Sequence, residues 1–383
     1  MSFWLKKAFI LLAVVLTLTL VFTNCSSPKT SEEVVTQPVS TVIDPWFAPV
    51  GSAVQGATLN DGWYDLKILD APVNVTGGWT DSAAISSNGL SLYFAYTRYD
   101  FAQLIDSATY LVTGPNRNSM TGNHFKNFRA DLTVNGWVVN QLGTPFNSDP
   151  NVHESSLSAN AAENLIAWSK WDATATKASL YFSIKNPDST WAAAAQVPSP
   201  AQSANCSNDN PFVVGDVSTG VDLYFESDRA DLSCTAGGAK RHIYHSYYNP
   251  STGLFSAVDK VAGLNGTQAN DEDMQVFVSS DKKQVFWTAT RHDSSGNPID
   301  YAIYTADLVG TAYLNSRVVA RPNFIPPYTG KLLFVGEANV VELSQGWIIY
   351  MICGIAQNES STTSKGAVLK VCSMKKNKTA GTM

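Results

Sequence analysis

The chain has 383 residues, of which 44% are apolar, 11% aromatic and only 15% charged, and that charge fraction excludes a disordered chain and a coiled coil. With 26 Lys and Arg against 32 Asp and Glu the net charge is −6, which excludes the basic surplus of a nucleic-acid binder. The 17 Phe, 15 Tyr and 10 Trp beside 25 Gly predict many short strands joined by tight turns.

Residues 1–24 form a separate segment. Lys6 and Lys7 precede an uncharged run from Ala8 to Phe22, which is too short for a comfortable membrane span of ~20 residues. This is the pattern of a signal peptide. Followed by Thr23, Asn24 and Cys25, it resembles the signal of a bacterial lipoprotein, in which the first mature residue is a lipid-modified Cys. Phe22-Thr23-Asn24 departs from the usual Leu-then-small-residue pattern and is similar to the looser lipoboxes of spirochaete lipoproteins. The resemblance implies lipidation at Cys25 and membrane contact through that anchor only. It also implies a place in the cell envelope, with the outer membrane favoured because Ser26, not Asp, follows the Cys. Simple cleavage and an uncleaved anchor are the other readings. Residues 25–43 are rich in Ser, Thr, Pro and Glu without a hydrophobic period and read as a flexible tether.

Four cysteines follow: Cys206, Cys234, Cys353 and Cys372. An even count in an exported chain predicts two disulfides. Three connectivities are open, and the sequence-near pairing, Cys206–Cys234 with Cys353–Cys372, is the expected one. No Cys-x-x-Cys spacing occurs, and neither a metal nor a cofactor is expected.

Residues 44–373 carry a repeat. Its strands are cored by Leu92-Tyr93-Phe94, Ala167-Trp168-Ser169, Leu223-Tyr224-Phe225, Phe286-Trp287-Thr288 and Ile349-Tyr350-Met351. With Phe94, Trp168, Phe225, Trp287 and Tyr350 as markers the step averages about 64 residues. An acid and a short Asn, Asp or Gly turn precede each marker, the hairpin signal, and two further strands follow it. The fifth repeat lacks its last strand, because the tail 374–383 is polar and basic, whereas Asp61–Pro72 looks like an orphan last strand at the other end. The pattern predicts an all-β, five-bladed β-propeller of four-stranded antiparallel blades, with the ring closed by an N-terminal strand.

Three blades carry a resemblance. Ile85-Ser86-Ser87-Asn88-Gly89-Leu90-Ser91-Leu92-Tyr93-Phe94 with Thr97-Arg98, Leu223-Tyr224-Phe225-Glu226-Ser227-Asp228-Arg229 with Ile243-Tyr244, and Val278-Ser279-Ser280-Asp281-Lys282 with Thr290-Arg291 are similar to the TolB-type (WD-repeat-like) propeller repeat. That resemblance implies protein or ligand contact in the cell envelope and no common chemistry.

The acids that lead the blades are the candidate ligand-binding residues: Asp81, Glu154, Asp209, Asp271 or Asp273, and Glu337. At the start of the innermost strands they would ring the channel and bind a cation or a sugar. Equally, an acid repeated in every blade can cap a strand by accepting backbone N–H groups. The leading expectation is a binding module for an envelope or host protein, working through loops such as Asp100–Asn127 and Asp231–Lys240. One alternative is a carbohydrate-active, glycoside hydrolase-like enzyme with Asp81, Glu154 and Asp209 as its carboxylates. The other is a structural lipoprotein without a specific ligand.

Overall fold

The computed structural model describes residues 43–98, 124–172, 177–202, 205–233, 236–238, 240–359 and 367–378. The signal segment, Cys25, the tether up to residue 42, most of the Asp100–Asn127 loop and Cys234 lie outside these residues.

Among the described residues the chain is all-β apart from one short 3-10 turn, Pro45–Phe47, and it forms a five-bladed propeller of antiparallel sheets. From the channel outward, blade one is Trp79–Ile85, Ser91–Thr97, Lys126–Thr133 and Gly136–Gln141. Blade two is Val152–Ala159, Leu165–Asp172, Ala178–Ile184 and Ala195–Gln196. Blade three is Asn208–Asp216, Gly220–Ser227 and His242–Asn249, with Leu254–Phe255 and Asp259–Lys260 both paired to its third strand. Blade four is Glu272–Val278, Gln284–His292, Pro298–Val309 and Ala312–Pro322, with Ala57–Leu59 added outside. Blade five is Leu332–Glu342, Gly346–Ala356 and Ala367–Asn377, and its outer strand is Tyr64–Ile68 from the N-terminal side. Each inner strand neighbours the next, and the fifth neighbours the first.

The hairpin turns are set by local side-chain chemistry. In blade one, Ser86 Oγ accepts from the Ser91 N–H at 2.9 Å and Asn88 Oδ1 from the Leu90 N–H at 2.9 Å, while Gly89 takes the left-handed conformation. In blade four, Ser279 and Asp281 do the same for Gln284 and Lys283. These short polar side chains offer the backbone a turn in place of a longer strand.

Packing between blades is apolar. Phe94, Trp168, Phe225 and Trp287 are all buried, each on the second strand of its blade. In blade five the residue in the matching place is Met351, not Tyr350: the inner strand skips from Gly336 opposite Ile352 to Asn339 opposite Tyr350, leaving Met351 facing the bulge. Cys353 and Cys372 form the expected disulfide between the second and third strands of that blade, fully buried. Cys206 is also disulfide-bonded.

A second repeat links the blades and escaped the sequence reading. The crossover loops carry Pro72-Val73-Asn74, Pro145-Phe146-Asn147, Pro200-Ala201-Gln202 and Gly263-Leu264-Asn265. The middle residue is buried each time. The amide after it then clamps the third strand of the blade just left. Asn74 accepts from the Val371 N–H, Asn147 from that of Asn127, Gln202 from that of Leu180 and Asn265 from that of Ile243. Asn74 also donates to the carbonyls of Leu69, at 2.6 Å, and Val371, at 2.8 Å. One amide thereby fixes a loop to two outer strands. Replacing it strands two backbone groups, the Val371 N–H and the Leu69 carbonyl, while the Val371 carbonyl keeps the Leu69 N–H, so Asn74→Ala is expected to cost about 2–4 kcal/mol in urea unfolding. A loss below about 0.5 kcal/mol would show that the clamp contributes little.

Candidate active site at the channel mouth

Every inner strand carries a bulge at the same height. Two residues oppose one in each case: Ser82 and Ala83 face Phe94, Ser156 and Leu157 face Trp168, Asn210 and Pro211 face Phe225, Gln275 and Val276 face Trp287, and Glu337 and Ala338 face Met351. The first of each pair is left-handed, with φ of 58°, 55°, 47°, 53° and 56° in that order. Such bulges re-aim side chains and tighten the local twist. They pinch the channel to a cavity of about 40 Å³, lined by Ser82, Ser156, Asn210, Gln275 and Glu337 among others. Beyond the pinch, where the inner strands end, a funnel of about 1430 Å³ opens between the hairpins.

Counting from the bulge decides where each predicted acid goes. Residues two places before it are Thr80, Glu154, Asn208, Asp273 and Val335, and all five are fully buried. Residues one place before it are Asp81, Ser155, Asp209, Met274 and Gly336. Successive strand residues point to opposite faces, so a slip of one moves a side chain from channel to interior. The predicted ring of blade-leading acids therefore splits: Glu337 lines the pinch, and Asp81 and Asp209 lie one place before it in their strands.

The other acids are structural. Glu154 is held between Lys126, 3.0 Å from Oε2, and Lys170, 3.1 Å from Oε1, and the Ser148 backbone donates to it at 3.1 Å. The expectation that Glu154 serves as a site carboxylate is thus corrected: it neutralises two lysines inside the blade packing. Asp273 accepts from Trp287 Nε1 at 2.9 Å, Arg291 at 2.5 Å and the Gly266 N–H at 2.7 Å. Asp271 accepts from the backbone of His292 and Gln268. Arg229 makes no salt bridge to an acid among the described residues but lies against the rings of Phe225 and Tyr244 and donates to Asn208 and the Ala201 carbonyl. The His242 and His245 rings go to different partners, Asp273 and Asp222. His153 Nδ1 accepts from the Phe125 N–H, and burial pushes that imidazole down to about 3.

At the pinch, the carboxyls of Asp81 and Glu337 are hydrogen-bonded to each other. Two ionised carboxylates have no proton to share, so this contact holds one. Burial raises Asp81 to about 6, the bonds from Glu337 and the Ser82 N–H oppose the rise, and the Asp209 charge adds to it. Burial also lifts Glu337 well above the usual carboxylate range, with the Asp81 charge next in effect. Gln275 braces Glu337 by donating to Oε1 at 3.2 Å and accepting from its N–H at 3.1 Å.

Asp209 faces a carboxylate that the sequence reading missed. Glu226, on the second strand of blade three, sits directly opposite it. Arg241 bonds Glu226 Oε1 and lies 4.0 Å from Asp209 Oδ2. Tyr301, on the third strand of blade four, adds a buried phenol that the charges of Glu337, Glu226 and Asp81 push upward, after burial itself. A sequence signal for Glu226 existed. The residue after the marker is Ala95, Ser169, Thr288 and Ile352 in the other blades, and only blade three places an acid there.

The shared proton has a stability signature. Asp81 in the folded chain keeps a proton up to about pH 6, whereas an unfolded Asp releases it near ~3.9. Stability is therefore greatest below pH 4 as far as this group is concerned and is lost as pH rises through 6. Between pH 5 and 7.5 the wild type should lose roughly 1–3 kcal/mol from this pair, read by urea unfolding at each pH. The Asp81→Asn, Glu337→Gln double variant should flatten that slope, and an unchanged slope would locate the proton elsewhere.

No family model and no curated protein matches the sequence. Among solved structures the chain is similar to a thermostable family-43 glycoside hydrolase, at 11% identity and TM-score 0.47, over 79% of this chain and 91% of that one. It is similar to the α-L-arabinofuranosidase PaAbf62A from Podospora anserina at 10% identity and TM-score 0.44, over 81% and 94%. It is similar also to Zg3597, a family 117 glycoside hydrolase from Zobellia galactanivorans, at 10% identity and TM-score 0.43, over 88% and 92%. At such identities the likeness is one of fold. These results correct the resemblance to TolB-type repeats and to a spirochaete-type lipoprotein: no family model supports it, and the solved structures the chain is similar to include glycoside hydrolases. Of its motif residues, the turn serines hold the hairpins of blades one and four, and Arg229 and Arg291 bond groups within blades three and four.

Proposed function

We propose that the channel mouth is a carbohydrate-active site in which the Asp81–Glu337 pair supplies a proton and Asp209 supplies the opposing carboxylate. The observation that carries this reading is the hydrogen-bonded pair itself, a carboxyl held near pH 6 beside the pinch of the channel, whose cavity Glu337 lines. Glycoside hydrolysis needs a carboxylic acid that keeps its proton near neutral pH, and a second carboxylate ~5–10 Å away to act as base or nucleophile. Asp81 and Glu337 are too close to divide those roles between them. We assign them to one donor, and assign the other part to Asp209, whose charge raises both without bonding either.

The binding-module reading has less support. Its surfaces were loops such as Asp100–Asn127 and Asp231–Lys240, and at the described end of the first, Phe125 and the adjoining Phe128 are both buried.

Release of reducing ends from a panel of neutral polysaccharides and aryl glycosides tests the proposal. Activity should fall above about pH 6 as Asp81 loses its proton and leaves the pair with only the one on Glu337. Asp81→Asn, Glu337→Gln and Asp209→Asn should each lower kcat/KM by about 10²–10⁴ while the protein stays folded. Turnover that survives all three changes, or an alkaline optimum, would sink the assignment.

A further inference from the structure

The Asp209–Glu226 pair poses an electrostatic problem. The two carboxyls stand directly opposite on neighbouring antiparallel strands, where like charges destabilise a sheet. Both residues are almost fully buried, so water does little to screen them. One cation reaches both. Arg241 bonds Glu226 Oε1 and approaches Asp209 Oδ2, and its own backbone carbonyl accepts from the Asp273 N–H at 2.9 Å, which pins its stem to the inner strand of blade four. Glu226 Oε2 in turn accepts from the Gln275 N–H at 3.0 Å, and Gln275 is the bulge residue that braces Glu337. A continuous chain of contacts thus runs from Asp209 through Arg241, Glu226 and Gln275 to Glu337 and Asp81.

We infer that Arg241 is the positioning residue of this site, holding Asp209 and Glu226 side by side and, through Gln275, fixing the place of the Asp81–Glu337 pair. It touches no reacting atom in this arrangement. The inference draws on the proposed hydrolase reading only for its activity arm, because the charge balance can be read without a substrate. The groups that face Glu226 are Asp209 and Asn210 from the inner strand of blade three, Arg241, Tyr301 and Gln275. Burial pushes the Glu226 carboxyl upward and Arg241 opposes that push most. Without the guanidinium only the weaker bonds from Asn210 and the Gln275 N–H oppose the push, so Glu226 takes a proton at higher pH. A carboxyl raised in the folded state stabilises below its unfolded value and ceases to do so as pH rises.

The test is a double-mutant cycle of Arg241→Met and Glu226→Gln, with Arg241→Lys as the conservative variant, read by Tm at pH 5 and pH 8. Arg241→Met should lose several degrees more at pH 8 than at pH 5. Adding Glu226→Gln should recover most of the pH 8 loss, and Arg241→Lys should lie nearer the wild type than Arg241→Met. If Arg241→Met folds at pH 5 and not at pH 8, the inference is supported. Equal losses at both pH values, or no recovery with Glu226→Gln, would reduce Arg241 to packing and overturn it. In the activity arm, Arg241→Met should lower kcat/KM at least tenfold, with its pH profile displaced. A wild type inactive on every glycan, with the Tm pattern intact, would count against the hydrolase reading and leave the inference standing.

Discussion

The five bulges of the inner strands set the rest of the structure. Each places a non-glycine residue in the left-handed region, at a cost of roughly 1 kcal/mol, and all five lie at one level of the channel. The gain is convergence. An inner strand that ran straight would alternate channel and interior residues along its whole length. With an extra residue inserted, the strand turns inward, and the side chains just before and at the bulge crowd the axis. Ser82, Ser156, Asn210 and Gln275 are small or neutral, so the pinch closes without charge on four sides. Glu337 occupies the fifth side, which is why it meets Asp81 of the adjoining blade. The carboxyl pair is thus a product of ring closure. Blade five and blade one are far apart in the chain, and only the circular arrangement sets their inner strands together.

The same bulge explains which parts of the site were legible in the sequence. The blade count, the four-stranded plan and the marker aromatics could be read from period and turn chemistry, because burial between blades repeats the same demand. The acids could be read as a recurring feature but not assigned a face. Distances from acid to marker run through a hairpin of variable length, and a one-residue difference there reverses the side chain. Glu154 and Asp81 look equivalent in the sequence, yet Glu154 lies between two lysines while Asp81 shares a proton with Glu337. The bulge itself leaves little trace, since Ser, Ser, Asn, Gln and Glu share no side-chain type. The crossover amides left a clear one, Pro or Gly, a small or apolar residue, then Asn or Gln. That signal sits in loops, where strand periodicity gives no reason to look.

Burial sorts the acids into two kinds by what is buried with them. Lys126 and Lys170 meet both oxygens of Glu154, and Arg291, Trp287 Nε1 and the Gly266 N–H serve Asp273, so each carboxylate has its charge and its lone pairs satisfied. Such groups specify packing, and removing one partner leaves an uncompensated charge inside. Asp81 and Glu337 have no cation within bonding distance among the described residues and satisfy each other through a proton instead. A fold that needed only stability gains nothing from that choice over a pair of amides. Its distinguishing property is a proton that can leave and return near pH 6, which is a property of use in chemistry and not in packing.

The two carboxyl pairs of the mouth are handled in opposite ways, and the contrast gives the site its polarity. One pair is neutralised by a proton and the other by Arg241. Environments that divide like groups in this manner separate acid from base within one cleft. Gln275 stands between them, its backbone N–H on Glu226 and its side-chain amide on Glu337. An amide can join the two pairs without adding charge to either, so the proton of the one and the cation of the other stay where they are. Had blade four carried an acid at this bulge, three carboxyls would have met at the pinch and the proton would have had no fixed home. The neutrality of Gln275 is therefore as much a part of the arrangement as the acids on either side of it.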